Sequence, residues 1–253
     1  MPNSITFINH ATVLIQLGDL SILTDPIYAR TISFVFPRLQ KPGIPFRDLP
    51  PIDCILVSHN DYDHLNVKTL RRLRRRSSST IAFPRGLAPY ARRAGFRDIV
   101  EMGWWEETER GDLRITCTPA RHVSKRRPRD RNSSACCGYL VQAEGRTVYF
   151  AGDTGYGDFF QELGRRYTID VALLPIGAYK PHDWFKDVHL NPVSTVQAFL
   201  DLRAQHLIPI HWGTFWISDE PMAEPPVLLQ QEARRQGVES KVHVLKNGER
   251  FGF

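Results

Sequence analysis

Four side chains able to ligate a metal, His59, Asp61, Asp63 and His64, fall within six residues directly after the apolar run Cys54-Ile-Leu-Val57. The apolar run reads as a buried strand, and Val67 to Arg75 reads as a helix, with Val67, Leu70 and Leu73 on one side and arginines on the others. A turn between strand and helix can aim alternate side chains into one pocket. Further metal-ligating residues stand just beyond other apolar runs: His122 after Leu113 to Thr118, Asp153 after Thr147 to Phe150, and His211 after Leu207 to Ile210. Gathered at one sheet edge without a cation, these seven groups would crowd carboxylates at high electrostatic cost, whereas two divalent ions would neutralise them.

The remaining pattern supplies a scaffold for such an edge. Short runs at Ile5 to Ile8, Thr12 to Leu17 and Leu20 to Thr24 read as closely spaced antiparallel strands, followed by a Pro-rich irregular stretch from Pro37 to Pro51. Beyond it, strands at Thr80 to Phe83, Leu113 to Thr118, Tyr139 to Ala143, Thr147 to Phe150, Val171 to Pro175, Leu207 to Ile210 and Val242 to Leu245 mix with helices at Gly86 to Ala94, Pro192 to Leu202 and Pro225 to Gln236. This is the pattern of a layered α/β fold with mixed sheets. At 253 residues the chain could hold one large domain or two small ones. Ligands spread from residue 59 to residue 211 serve one centre, so a single composite domain over 1–253 is expected.

Composition narrows the class further. With 42% hydrophobic and 24% charged residues the chain is of ordinary globular type. No apolar run approaches the roughly 20 residues of a membrane span. Met1-Pro2-Asn3-Ser4 lacks a secretory pattern, so the cytoplasm is the expected compartment. The four cysteines, Cys54, Cys117, Cys136 and Cys137, lack CxxC spacing and read as core thiols or residues entering a strand. The net charge of +6 favours an anionic partner without naming one.

Phe7-Ile-Asn-His-Ala-Thr12, Leu23-Thr-Asp-Pro26, Ser58-His-Asn-Asp-Tyr-Asp-His64, Pro119-Ala-Arg-His122, Phe150-Ala-Gly-Asp-Thr-Gly-Tyr156, Leu174-Pro-Ile-Gly-Ala-Tyr179, Val188-His-Leu-Asn-Pro192 and His211-Trp-Gly-Thr214 stand in a characteristic order. In these motifs the chain resembles the metallo-β-lactamase superfamily over nearly its whole length, in particular the group containing the N-acyl-phosphatidylethanolamine-hydrolysing phospholipase D enzymes and their bacterial relatives. The resemblance implies a four-layer αββα sandwich with a dinuclear metal centre at one edge. It implies a first metal site of His59, residue 61 and His122, a second of Asp63, His64 and His211, and Asp153 bridging the two. The family motif HxHxDH carries a second His where this chain has Asp61. An added carboxylate shifts a site towards harder ions such as Mn²⁺ or Fe²⁺, with Zn²⁺ as the default for both positions.

Two cations close together would lower the pKa of a shared water and polarise a substrate oxygen. Asp153 would set the metal spacing, and Asp63 would also orient or receive the proton of that water. His189 matches a family histidine beside the pocket, where it either contacts the substrate or packs as a loop histidine against Trp184 or Phe185; Tyr179 is a second substrate-binding position. His10 and Asp25 are read as groups that orient the ligating imidazoles or as turn formers. His182, His206 and His243 carry no motif support. The arginines at 71, 72, 74, 75 and 76 read as a solvated helix face. The basic segment Lys125 to Arg131 reads as an exposed loop that either faces solvent or attracts a phosphate-bearing substrate or the inner face of a membrane. The expected function is a metal-dependent hydrolase acting on a phosphodiester such as N-acyl-phosphatidylethanolamine; hydrolysis of a lactone or carboxylic ester and a non-hydrolytic metal or redox role are the alternatives. An anionic small molecule or phospholipid is the expected partner, and nucleic acid is not.

Overall fold

The computed structural model describes residues 3–33, 35–124, 126 and 136–253. The first sheet is built from β1 (Ser4–Asn9), β2 (Thr12–Leu17), β3 (Leu20–Thr24), β6 (Cys54–Leu56), β7 (Thr80–Pro84), β8 (Ile99–Met102) and the carboxy-terminal β15 (Arg250–Gly252), in the order β15-β1-β2-β3-β6-β7-β8. A small hairpin, β4 (Thr31–Ile32) with β5 (Phe36–Pro37), interrupts it. The second sheet, ordered β14-β13-β12-β11-β10-β9, uses β9 (Glu107–Arg110), β10 (Leu113–Pro119), β11 (Cys137–Ala143), β12 (Arg146–Phe150), β13 (Val171–Pro175) and β14 (His206–Ile210).

Alternation along the strands produces the layers, because neighbouring side chains point to opposite faces. Leu56 and Cys54 of β6 join Tyr139 and Val141 of β11 in the core between the sheets, while Ile55 between them turns outward. On the outer face of the first sheet Ile55, Ile81 and Phe83 meet Leu70 and Leu73 of α1 (Val67–Arg74) and Ala91 and Ala94 of α2 (Ala88–Ala94). On the outer face of the second sheet, Leu140, Tyr149 and Ala172 meet Phe160 and Leu163 of α3 (Phe159–Arg166). They also meet Phe199 of α5 (Pro192–Leu202) and Leu229 of α6 (Glu224–Arg235). A short α4 (His182–Phe185) precedes α5. The result is the four-layer αββα sandwich that the motifs imply.

Strand direction places the site. In the first sheet β1 runs antiparallel to β2 and β2 to β3, so β1 and β3 point the same way, and β6 is parallel to β3. By the same reasoning β10, β12 and β14 share one direction in the second sheet. The carboxyl ends of β1, β3, β6, β10, β12 and β14 carry His10, Asp25, His59 to His64, His122, Asp153 and His211 respectively. An edge formed by strand carboxyl ends is where open α/β sheets place ligands.

Two expectations need correction. No strand forms at Val242 to Leu245: Val242 makes one isolated bridge to Leu207, His243 N–H donates to Leu207, and the chain then leaves the sheet. The closing strand is β15, paired to β1 instead. Helix α3 lies in a region with no expected element; its eight residues bury only Phe160 and Leu163, too few for a clear helical period. The arginines of α1 lie opposite the buried Leu70 and Leu73, and Arg76, just past the helix, donates to the carbonyls of Phe46, Arg47 and Leu49 at 2.9, 2.9 and 3.0 Å.

Candidate metal centre

Two clusters form at the sheet edge. In the first, Asp61 Oδ2 lies 3.6 Å from His59 Nε2 and 3.5 Å from His122 Nε2. In the second, Asp63 Oδ2 lies 3.5 Å from both His64 Nε2 and His211 Nε2. Asp153 sits between them: its Oδ2 is 3.2 Å from His64 Nε2 and 3.1 Å from His211 Nε2, and it also falls within 4.8 Å of the ligand atoms of His122 and His189. The seven residues singled out as ligands are thus all brought together. Their Nε2 atoms on His59, His64, His122 and His211, and Oδ1 of Asp153, are buried and have no hydrogen-bond partner. Buried polar atoms are otherwise satisfied in folded proteins, so an orphaned set of imidazole nitrogens and one carboxylate oxygen converging on one place fits divalent metal ions.

The far side of three of these four rings, those of His59, His64 and His122, explains why their nitrogens converge, whereas His211 Nδ1 has no hydrogen-bond partner. His64 Nδ1 donates to Asp25 Oδ2 at 2.6 Å, and His122 Nδ1 donates to the Val188 carbonyl at 3.0 Å. Ser58 Oγ donates to Asp25 Oδ2 at 2.6 Å, which leaves it to accept from His59 Nδ1 at 2.8 Å. With Nδ1 carrying the proton in each ring, the Nε2 lone pairs face the cluster. Asp25 also forms a close group with His59 and His64, but its Oδ1 accepts from the Ser58 N–H at 2.8 Å, so both its oxygens are engaged in orienting the rings. His10 Nε2 lies 3.0 Å from Asp63 Oδ2, the same oxygen that approaches His64 and His211, so three imidazoles share that carboxylate.

Backbone geometry supports this aim. His10, Asp25 and His211 adopt φ values of 49°, 31° and 60°, in the left-handed region that non-glycine residues seldom occupy. Gly152, at φ 61°, must lack a side chain, since a Cβ there would lie 2.5 Å from Ser58 Cβ. The unusual Asp61 has its own support: Ser124 Oγ donates to its Oδ1 at 3.1 Å, leaving Oδ2 towards His59 and His122. Arg126 donates to the carbonyls of Asn60 and Leu65 at 2.7 and 2.8 Å, tying together the two ends of the ligand turn, and covers the Tyr62 ring at 4.1 Å. Arg126 therefore turns inward rather than outward. Lys125 and residues 127–131 of the basic segment lie outside the described residues.

The charges are strongly coupled. Burial pushes the carboxyls of Asp61 and Asp63 up, yet the imidazoles around them outweigh it and hold both below the ordinary carboxylate range; Asp153 is depressed in the same way by His211 and His64. Burial opposes charge on His211, but Asp153 and Asp63 raise it from 6.5 to about 9. His64 and His122 are raised by their carboxylates, again against burial. Burial dominates at His10 and His189 and lowers each to about 3, so both are neutral at pH 7. A metal must displace the protons from the raised imidazoles. In metal-free protein, the stability contributed by the His211 ion pairs is fully present below about 6.5 and is lost as the pH rises through about 9. The melting temperature of chelator-treated protein is accordingly expected to fall between those values. Metal-loaded protein, whose imidazoles are already deprotonated, should show a flatter profile. Parallel profiles in thermal melts would contradict this coupling.

The metal cluster opens to a pocket of about 220 Å³ lined by Asp61, Asp63, His122, Asp153, His189 and His211 on the polar side and by Ile32, Phe36, Tyr62, Phe185 and Ile217 on the apolar side. His189 belongs to it, with Nδ1 3.9 Å from Asp153 Oδ2 and its ring edge-on to Phe185. Tyr179 does not. Its hydroxyl donates to Glu224 at 2.5 Å, and it lines a separate cavity of about 910 Å³ between α5 and α6. His206 and His243 pair with each other at 3.1 Å, away from this pocket. Ser58, Ser124 and Arg126 are site residues that the sequence reading did not assign. Ser58 directly precedes a ligand, and that adjacency was the available signal.

An αββα sandwich whose edge gathers two His/Asp clusters about one carboxylate has the architecture of the metallo-β-lactamase fold. The chain belongs to the beta-lactamase superfamily domain family, whose model matches residues 21–212. Among curated proteins it is similar to N-acyl-phosphatidylethanolamine-hydrolyzing phospholipase D 1 of Caenorhabditis elegans, with 34% identity over 83% of this chain and 64% of that protein. It is also similar to a UPF0173 metal-dependent hydrolase of Rubrobacter xylanophilus, with 28% identity over 98% of this chain and 96% of that protein. The chain spans less than two thirds of several curated relatives; an uncharacterized Mycobacterium tuberculosis protein, for example, is covered over 65% of its length. Among solved structures, the Igni18 metallo hydrolase of Ignicoccus hospitalis superposes with a TM-score of 0.79 at 22% identity, covering 100% of this chain and 99% of that one. Among the described residues no helix is long and apolar enough to cross a membrane.

Proposed function

We propose that the protein is a metal-dependent hydrolase with a dinuclear centre, acting on a phosphodiester of the N-acyl-phosphatidylethanolamine class. The observation that carries this reading is the orphaned set of four buried Nε2 atoms and Asp153 Oδ1 converging on the 220 Å³ pocket. The similarity to the Caenorhabditis elegans phospholipase D supports the phosphodiester. The first site takes His59, Asp61 and His122, the second Asp63, His64 and His211, and Asp153 serves both. Zinc is the default ion, and the Asp61 carboxylate, held with one oxygen inward by Ser124, favours Mn²⁺ or Fe²⁺ at the first site.

Such a pair of ions supplies Lewis acidity towards a phosphoryl oxygen and lowers the pKa of water. The protein does the rest. Asp63, gripped by His10, is held ionised and able to receive a proton from the attacking water. Neutral His189 offers a hydrogen bond at the pocket wall without adding positive charge. Phe36, Phe185 and Ile217 limit water around the reacting bond.

Metal analysis of protein purified without added metal, followed by assay with Zn²⁺ and Mn²⁺ against bis-p-nitrophenyl phosphate, lactones and N-acyl phospholipids, tests the reading. Up to two ions per chain with phosphodiester turnover is expected. Turnover of lactones alone would move the assignment to ester hydrolysis, and metal without any turnover would point to a binding or redox role.

A further inference from the structure

Large hydrophobic side chains left in solvent are concentrated around the pocket. Of the eight among the described residues, five lie on the three chain segments that also contribute Ile32, Phe36, Phe185 and Ile217 to its lining: Val35, Phe36, Leu39, Trp184 and Trp216. Phe36 lines the pocket itself, and Val35 is in the turn that joins β4 to β5. Leu39 is hydrogen-bonded to Thr214, one residue from Phe215, which packs with Ile27 and Ile32. Trp184 and Trp216 adjoin the pocket residues Phe185 and Ile217, and are 78% and 65% exposed. Three separate chain segments that line one pocket thus also carry exposed apolar groups. Exposed apolar residues gathered in this way mark an interaction site, whereas scattered ones need no explanation.

The charge of the same region selects the occupant. Residues 26–47 carry Arg30, Lys41 and Arg47 as exposed cations, Arg47 lying 3.5 Å from Asp48, while Arg38 turns inward to the carbonyls of Ile27 and Ala29. Phe46 connects this segment to α1, lying under the Arg72 guanidinium at 3.7 Å. From there the basic surface continues through residues 66–97, which hold ten Lys and Arg side chains and no Asp or Glu. Tryptophan with flanking cations is the pattern of a surface that settles into the headgroup layer of an anionic bilayer. A nucleic acid would use the cations but has no use for the exposed Val35 and Leu39.

We infer that the rim formed by Val35, Phe36, Leu39, Trp184 and Trp216 docks on an anionic lipid surface, so that the metal pocket opens onto the headgroup layer. This deepens the phosphodiester reading and rests on it, since it supplies a lipid substrate in place. The cations of 26–47 and of α1 and α2 then draw the protein to the surface, and the apolar rim holds it there.

The test uses the full chain, metal-loaded, with vesicles of phosphatidylcholine with and without phosphatidylglycerol. Co-sedimentation with the anionic vesicles, weakened by salt, and a blue shift of tryptophan emission are expected. The double variant Trp184→Ser/Trp216→Ser should bind them about tenfold more weakly or worse, because two exposed indoles lose their burial in lipid. Its metal content and its turnover of soluble bis-p-nitrophenyl phosphate should be unchanged. No vesicle binding by the parent protein, binding unaltered in the double variant, or a dimer of the parent that the double variant breaks without altering vesicle binding would each overturn the inference. So would binding of a single-stranded RNA in preference to anionic vesicles. Absence of turnover of any phosphodiester, with vesicle binding intact and sensitive to the two substitutions, would instead count against the substrate reading and leave the docking surface standing.

Discussion

Asp153→Ala is expected to lower metal content from up to two ions per chain to one or fewer and to reduce turnover by roughly three orders of magnitude, the scale on which charge-stabilising groups act in catalysis. The reason is position. Asp153 is 3% exposed at the end of β12, and its Oδ2 contacts the ligating nitrogens of both His64 and His211 while His122 approaches from the other cluster. Asp63 also reaches His64 and His211, at 3.5 Å, but Asp153 is the carboxylate that in addition comes within 4.8 Å of the ligand atom of His122. The substitution has a second signature: Asp153 is the largest favourable influence on the raised imidazoles of His211 and His64, so its loss should lower both towards ordinary values and reduce the protons released per metal bound. Elemental analysis, turnover and calorimetry in buffers of different ionisation enthalpy measure the three effects. Two ions retained with turnover intact would show that Asp153 does not link the clusters.

The second large effect is expected at Asp25, which ligates nothing in the arrangement described above. This carboxylate is fully buried and accepts from the Ser58 N–H, the Ser58 hydroxyl and His64 Nδ1. Through Ser58 it also fixes His59, so one residue orients an imidazole in each cluster. Asp25→Ala strands a buried N–H and a ring N–H, each costing about 1–3 kcal/mol. Metal affinity should fall by roughly 10–100-fold, as when groups behind metal ligands are removed. Asp25→Asn separates the two consequences. It keeps the volume and one acceptor, but its amide cannot accept at both positions, so the Nδ1 proton of His64 loses its fixed partner. Thermal melts should show a smaller loss of stability for Asn than for Ala, while metal titrations show a comparable loss of affinity. Unchanged affinity in the Asn variant would mean that ring orientation does not depend on this carboxylate.

The layers were legible because strand alternation is local. Cys54, Ile55 and Leu56 already separate inward from outward positions by their order, and the early hairpins are bounded by Asn9-His10 and Gly18-Asp19. Elements with weak periods were not legible: α3 buries only Phe160 and Leu163, and Val242 to Leu245 has strand-like composition but makes a single bridge to Leu207 of β14 instead of a ladder. The candidate ligands were legible for a related reason. His59, Asp61, Asp63, His64, His122, Asp153 and His211 all follow apolar runs, and strands sharing a direction bring their carboxyl ends to the same edge.

Tyr179 and Arg126 mark the limit of that logic. Each sits in or beside a motif, yet Tyr179 turns to Glu224 in the cavity between α5 and α6, while Arg126, from a segment that reads as exposed, folds onto Asn60 and Leu65. The sequence by itself determined the donor set, the strand order in which it is delivered and the substitution of a carboxylate at position 61. Only the tertiary structure decided which oxygen of Asp61 faces the cluster, which imidazole nitrogen each neighbour engages, and that the segments carrying Trp184 and Trp216 line the pocket through Phe185 and Ile217. Strand periodicity depends on adjacent residues, whereas the direction of a side chain at a loop depends on hydrogen-bond partners such as Ser124 and Asp25, dozens of residues away from the groups they orient.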